Sequence, residues 1–139
     1  MKILILCTGN SCRSQMAQGF LQSFNKNILV CSAGTEPSAK IHTKAIQVMQ
    51  ELGIDISKNN PKSVNEFLNE SFDYVITVCD TAKETCPMFT GKVKHHIHIG
   101  FDDPSLAKGT EEYIMTEFRR IRNEIKDAFI SFNNQKIRK

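Results

Sequence analysis

Apolar residues follow two rhythms along this chain. Ile3-Leu4-Ile5-Leu6 is an unbroken run, and Tyr74-Val75-Ile76-Thr77-Val78 is another, rich in β-branched residues. Such runs suit parallel strands covered on both faces. They predict strands over Lys2–Leu6 and Tyr74–Val78. Ile28 to Cys31 predicts a strand between them, left through a turn at Ser32-Ala33-Gly34, and Lys94 to Ile99 a weaker last one. Elsewhere the apolar spacing changes to three and four, the period of a helix face. Met16, Ala17, Phe20, Leu21 and Phe24 predict a helix from about Ser14 to Phe24. Ala45, Ile46, Met49 and Leu52 predict a second, with Gly53 as its C-cap. Ile114, Phe118, Ile121, Ile125 and Phe129 predict the longest, capped by Thr110 with Glu111 and Glu112 in its first turn. Ser63-Val64-Asn65-Glu66 reads as a capping box for a short helix carrying Val64, Phe67 and Leu68. Residues 80–92 are polar and hold Pro87 and Gly91, which predicts a mobile segment. Strands alternating with helices predict one α/β domain over 1–139, three layers deep, with helices on both faces of a parallel sheet.

One junction between rhythms carries chemistry. Cys7-Thr8-Gly9-Asn10-Ser11-Cys12-Arg13-Ser14 links the first strand to the first helix. A loop entering a helix N-terminus collects free backbone N–H groups and the positive end of the helix dipole, and so suits a phosphate-like oxyanion. Thr8, Gly9, Asn10, Ser11, Cys12, Arg13 and Ser14 are the candidate oxyanion binders, with Gly9 offering the positive φ such a cradle often needs. Cys7 stands at its entrance. The helix N-terminus, Arg13 and the Ser14 hydroxyl would all favour a Cys7 thiolate, placed to attack the central atom of the anion. The nucleotide-binding pattern G-x-x-x-x-G-K-[ST] is absent, and no cofactor is expected.

Cys-x5-Arg-Ser after the first strand resembles the low-molecular-weight phosphotyrosine phosphatase fold. The longer string Cys7 to Ala17 is similar to one branch of it, the thioredoxin-coupled arsenate reductases. Ser32-Ala33-Gly34, Cys79 with Cys86-Pro87, and Gly100-Phe101-Asp102-Asp103-Pro104 extend the resemblance to about Ile130. It implies a four-stranded sheet of order 2-1-3-4, with the Cys7 loop beyond the carboxyl ends of the strands, where ligands bind in such sheets.

That order would make the first and third strands neighbours, with Cys7 and Cys79 about 5 Å apart at Cα, within reach of a disulfide. Cys79 and Cys86, by contrast, would stand about 10.5 Å apart along a helix, so joining them requires the stretch between to open. The resemblance implies a relay. Cys7 attacks arsenate, Asp103 protonates the departing oxygen, Cys79 forms a disulfide with Cys7, and Cys86 resolves it for thioredoxin. Phosphate or sulfate would mimic the substrate. Cys7, Arg13 and Asp103 alone would instead serve a phosphatase working through a Cys7 phosphocysteine, although Ser105-Leu106 follow Pro104 where phosphatases of this fold carry aromatics. A redox-sensing or anion-binding protein without turnover is the remaining class. Asp102 reads as turn chemistry, Asn10 and Ser11 as braces of the loop with Ser32 behind them, Cys12 as structural or prone to oxidation, and Cys31 as a core residue. His95, His96 and His98 make a poor metal set, so no metal site is expected. Some family members hold potassium beside the loop Asn with acidic residues; here Gln18 and Lys62 occupy the matching positions.

Composition adds bounds. A net charge of +3 over 139 residues suits an anionic substrate and gives no basic-aromatic patch for nucleic acid. Only four apolar residues follow Lys2 before polar ones, so neither an export signal nor a membrane span is expected. Five cysteines without such a signal point to reactive thiols in the cytoplasm rather than a disulfide framework. A monomer is expected, and Lys136 to Lys139 reads as a solvated tail.

Overall fold

The computed structural model describes residues 1–137. Its elements run β1 (Lys2–Cys7), α1 (Arg13–Phe24), β2 (Leu29–Gly34), α2 (Thr43–Gln50), β3 (Phe72–Thr77), α3 (Asp80–Thr85), β4 (Val93–His98) and α4 (Glu111–Phe132). Short 3-10 turns lie at Val64–Phe67 and Pro104–Leu106, and a π-turn over Asn133–Ile137 continues α4. Arg138 and Lys139, part of the basic end read as a tail, lie outside the described residues.

All strands pair in parallel, in the order β2-β1-β3-β4 that the resemblance implied. Ile3, Leu4, Ile5 and Leu6 are each 0% exposed. Successive strand residues point to opposite faces, so the sheet is covered on both. Phe118, Ile121, Ile125 and Phe129 of α4 are fully buried, as their spacing predicts, and Ile114 is half-buried at the helix start. Each such side chain contributes roughly 1.5–3 kcal/mol on leaving water. Arg122, also buried, donates to the Val48 carbonyl (3.0 Å) and to Glu51 (2.7 Å), joining α4 to α2. Among the described residues no helix is long and apolar enough to cross a membrane.

The structure corrects several expectations. Ser32-Ala33-Gly34 is not a turn; these residues pair with Ile5, Leu6 and Cys7 and finish β2. Sheet pairing outweighs the local turn preference of Ser and Gly. Leu52 is 40% exposed, because α2 ends at Gln50, and Val48 takes its place in the core. Gly53 does adopt the left-handed conformation (φ 76°) expected of it. Residues 80–92 begin with α3 and are then pinned to the turn beneath by Thr90 and Gly91 amides donating to the Leu68 carbonyl. A short helix with an exposed face is compatible with the mobility expected of this stretch.

Candidate active site

The loop from Cys7 to Arg13 is turned inside out by its neighbours. The carbonyls of Cys7, Thr8, Gly9 and Ser11 accept from the amides of Thr35, Glu36, Ser38 and His42 at 2.8–3.1 Å. The Asn10 carbonyl accepts from Gln15 Nε2 (3.2 Å) and that of Cys12 from the Met16 amide (2.9 Å). In a trans peptide the N–H points opposite to the carbonyl. Carbonyls held outward from Cys7 to Cys12 therefore aim the amides of Thr8 to Arg13 inward, as a cradle for an anion.

The positive φ that the loop requires falls on Asn10 (φ 52°), not on Gly9. Asn10 tolerates it because its fully buried side chain is bonded on every side. Nδ2 donates to Ser14 Oγ (2.8 Å) and Ser32 Oγ (3.0 Å), and Oδ1 accepts from the Lys62 amide (3.0 Å) and Gln15 Nε2 (3.1 Å). Asn10 and Ser32 are thus braces, as expected. Gly9 serves close packing instead: a Cβ there would stand 2.6 Å from Ser38 Oγ. Gly34, beneath the loop, is bare for the same reason, with the Thr8 carbonyl 2.4 Å from where its Cβ would be.

Arg13 opens α1 with its side chain laid across the cradle. Nη1 donates to the Phe101 carbonyl (3.1 Å) and Nη2 lies 3.4 Å from Asp103 Oδ2. Its Nε is buried and has no partner among the described residues. A buried orphan donor costs about 1–3 kcal/mol, and an oxyanion in the cradle would satisfy it. Asp103 brings its other oxygen to the Ser105 amide (2.9 Å) and hydroxyl (2.7 Å), which hold it at the cradle edge. Asp102 points away toward Arg120 (3.6 Å), and the turn-capping bonds expected of it are made by Asp103 instead.

Cys7 and Cys79 meet at the carboxyl ends of adjacent strands, where the Val78 amide still bonds the Leu6 carbonyl (2.9 Å). Both are buried, and each thiol governs the protonation of the other. The expected acidity of Cys7 is corrected here. Within the pair the surroundings favour the proton on Cys7 and the negative charge on Cys79. Its acidity, pushed down to about 5, comes first from the Cys7 S–H donating to it, then from the Thr8 hydroxyl, the Ala82 amide and Arg13. The Thr8 Oγ and Ala82 N contacts are 3.3 and 3.4 Å long. Cys7, as the donor of the pair and out of water, is pushed up, although Arg13 and the Ser14 amide oppose this. It is the Ser14 backbone that faces Cys7, while its hydroxyl accepts from Asn10. Cys12 is buried and pushed up to about 12, chiefly by burial. Cys86, half-buried at the end of α3, is also raised by burial.

Ultraviolet titration of the reduced, anion-free protein should show one thiolate appearing with a midpoint of about 5. As pH falls through that value the thiolate is protonated and its alkylation slows. Thr8→Val removes a donor to the charged form and should move the midpoint upward; an unmoved midpoint would show that the hydroxyl does not hold the thiolate.

The three strand histidines do not converge. His95 stacks on Tyr74 (4.9 Å between centroids), His96 lies against Phe89 (6.4 Å), and His98 turns to Thr77 and Asp80. That last trio was missed in the sequence, where His98 reads as one of several solvated residues. Its only signal is that it ends a strand level with Thr77. Behind the cradle, a cleft of about 410 Å³ lies between Gln15, Gln18, Ser32, Asn59 and Lys62. Gln18 is committed there to the Val30 carbonyl (3.2 Å) and the Ser32 hydroxyl.

A parallel sheet of this order, with a Cys-x5-Arg cradle at its carboxyl end and an Asp at the rim, defines a class. Residues 2–139 match the family described as low molecular weight phosphotyrosine protein phosphatase, and the chain belongs to it. Within that family it is similar to proteins named arsenate reductase. It is 43% identical over 124 residues to that of Halalkalibacterium halodurans, covering 88% of each chain. It is 41% identical over 131 residues to that of Bacillus subtilis, covering 94% of this chain and 93% of the other. A solved structure described as an arsenate reductase in the phosphate binding state is similar with a TM-score of 0.81 and 30% identity, over 96% of this chain and 97% of that one.

Proposed function

We propose that this protein reduces arsenate to arsenite through Cys7, Cys79 and Cys86, with a thioredoxin-like dithiol protein as electron donor, in the cytoplasm. The observation that carries the reading is the Cys7–Cys79 thiol pair beneath the cradle, with α3 leading away to Cys86. Relatives named arsenate reductase at about 40% identity agree with it.

Arsenate would sit on the Thr8 to Arg13 amides, with the Arg13 fork and its free Nε on the oxygens. Cys7 attacks arsenic, its proton passing to the neighbouring Cys79 sulfur. An As–S bond forms, and one arsenate oxygen leaves as water with a proton from Asp103. With Cys7 in the adduct its S–H no longer donates to Cys79; Cys79 passes its proton to an oxygen of the adduct, and the Thr8 hydroxyl, the Ala82 amide and Arg13 hold the thiolate that forms. Cys79 attacks the Cys7 sulfur. The Cys7–Cys79 bond forms, the S–As bond breaks, its electron pair stays on arsenic, and arsenite leaves. Cys86 gives up its proton and attacks Cys79, making the Cys79–Cys86 disulfide and releasing Cys7 as thiolate. The donor dithiol reduces that disulfide by exchange and is itself oxidised.

The phosphatase reading rests on the same cradle, with Cys7, Arg13 and Asp103 sufficient for a phosphomonoester. Beyond Pro104, however, stands Leu106, 73% exposed, with no aromatic ring beside it in the turn to pack on a phenyl group. Hydrolysis also leaves Cys79 and Cys86 unemployed. Arsenite formation under excess arsenate, compared with thioredoxin and with glutathione as sole donor, tests the proposal. Turnover is expected with the protein dithiol. Turnover with glutathione alone would sink the thioredoxin coupling, and hydrolysis of an added small phosphomonoester with no arsenite formed from arsenate with either donor would favour the phosphatase.

A further inference from the structure

Joining Cys79 to Cys86 requires α3 to open, and one side chain ties the start of that helix to the sheet. His98 closes β4. Its Nδ1 lies 2.8 Å from Thr77 Oγ1 on β3, and its Nε2 lies 3.2 Å from Asp80 Oδ1. Asp80 is the first residue of α3, directly after Cys79. A carboxylate only accepts, so Nε2 carries a proton, and in the neutral ring Nδ1 accepts from the Thr77 hydroxyl. One imidazole therefore bridges β3, β4 and α3.

The bridge has a fixed end and a free end. The imidazole is 24% exposed, whereas the Asp80 carboxyl is 90% exposed. Backbone shape makes room for the pair: a Cβ at Gly100 would stand 2.9 Å from His98 Nε2 and 3.7 Å from Asp80 Oδ1. Cys86 waits on the same side. A groove of about 170 Å³ beside α3 is lined by Thr77, Lys83, Cys86 and His98.

With six residues, α3 is too short to persist by its own hydrogen bonds. The buried Ala82 side chain anchors its middle, and the Ala82 amide bonds the Cys79 sulfur. That bond depends on negative sulfur and fades once Cys79 is in a disulfide. Among the described residues, the His98–Asp80 contact is then the polar side-chain tie left between the sheet and the first turn of α3, beside the apolar anchor of Ala82.

We infer that His98 is a positioning residue of the relay, pinning the first turn of α3 and setting how readily the segment opens toward a Cys79–Cys86 disulfide. The inference rests on the relay proposed above. An exposed pair of this kind is a weak latch, so its loss should change opening by only about two- to fivefold. A weak latch suits a helix that must release in every cycle.

Hydrogen exchange on the reduced, full-length protein reads the latch without turnover. Asn places an amide where Nδ1 was and keeps the Thr77 contact; Gln reaches where Nε2 was and keeps the Asp80 contact. His98→Ala and His98→Asn should speed exchange over residues 80–86 about two- to fivefold, with the β1 and β3 amides unchanged. His98→Gln should exchange like the parent. Loss of packing alone would make the Asn and Gln variants alike, and that result, or no change in any variant, overturns the latch. Asp80→Ala, at an exposed position that leaves the core intact, should match His98→Ala, and the double variant should exchange no faster than either. The relay is read by trapping the Cys7–Cys79 disulfide with arsenate, then following its passage to Cys79–Cys86 by quenched peptide mapping. Passage should quicken in Asp80→Ala by the factor seen in exchange. Passage at the parental rate, or failure of the variant alone to form Cys79–Cys86, overturns the role of His98 only, and failure of the parent to form it overturns the relay as well.

Discussion

A Cys86→Ser variant will make about one arsenite per chain and then stop. In the proposed relay the reduction of arsenic uses two sulfurs, Cys7 and Cys79, which meet buried at the carboxyl ends of adjacent strands. Cys86 enters only afterwards, to carry the oxidation to the surface. Without it the oxidised protein holds a Cys7–Cys79 disulfide beneath the loop, where a protein dithiol has no approach. Rapid mixing with stoichiometric arsenate should give a burst equal to the active protein, and peptide mapping of the stalled chain should find Cys7 joined to Cys79. Cys7→Ser, lacking the nucleophile, should give no burst. Sustained turnover of Cys86→Ser with thioredoxin as sole reductant would mean that Cys86 is not the resolving thiol.

Removing the second sulfur should divide the two activities the cradle can support. Cys79→Ser leaves the inward amides, Arg13 and Asp103 in place, so slow hydrolysis of a small phosphomonoester should survive. Arsenate reduction should fall to the level of a protein-free control, because an arsenic–Cys7 adduct has no neighbouring thiolate to take it apart. The substitution also replaces the charge-accepting sulfur by a neutral hydroxyl that can donate to Cys7, so the Cys7 thiolate should form more easily than in the parent, where Cys79 is the largest cause of its raised pKa. Hydrolysis by the variant should therefore hold up at lower pH. Arsenite formed by Cys79→Ser with thioredoxin would contradict the electron path, and loss of hydrolysis together with reduction would show that Cys79 also shapes the cradle.

Much of this molecule is legible in one dimension because its signals are local. The Ile3–Leu6 run, the α4 stripe from Phe118 to Phe129, the Ser63 capping box and the Gly53 cap each depend on residues within a few positions of one another, and each stands where its pattern predicts. The cradle is local too: a strand, a loop with Cys7 and Arg13 at its ends, and a helix. Tertiary structure decided what depends on partners distant in the chain. Ser32 to Gly34 became strand because Ile5 to Cys7 lies alongside, and Asn10 took the positive φ because Ser32 and Lys62 hold its side chain. The carbonyls of the loop face outward because residues 35–42 pass behind it. Most consequentially, the surroundings favour negative charge on Cys79 over Cys7. The Thr8 hydroxyl and the Ala82 amide both converge on Cys79, a balance of donors that exists only once β1, β3 and α3 have met.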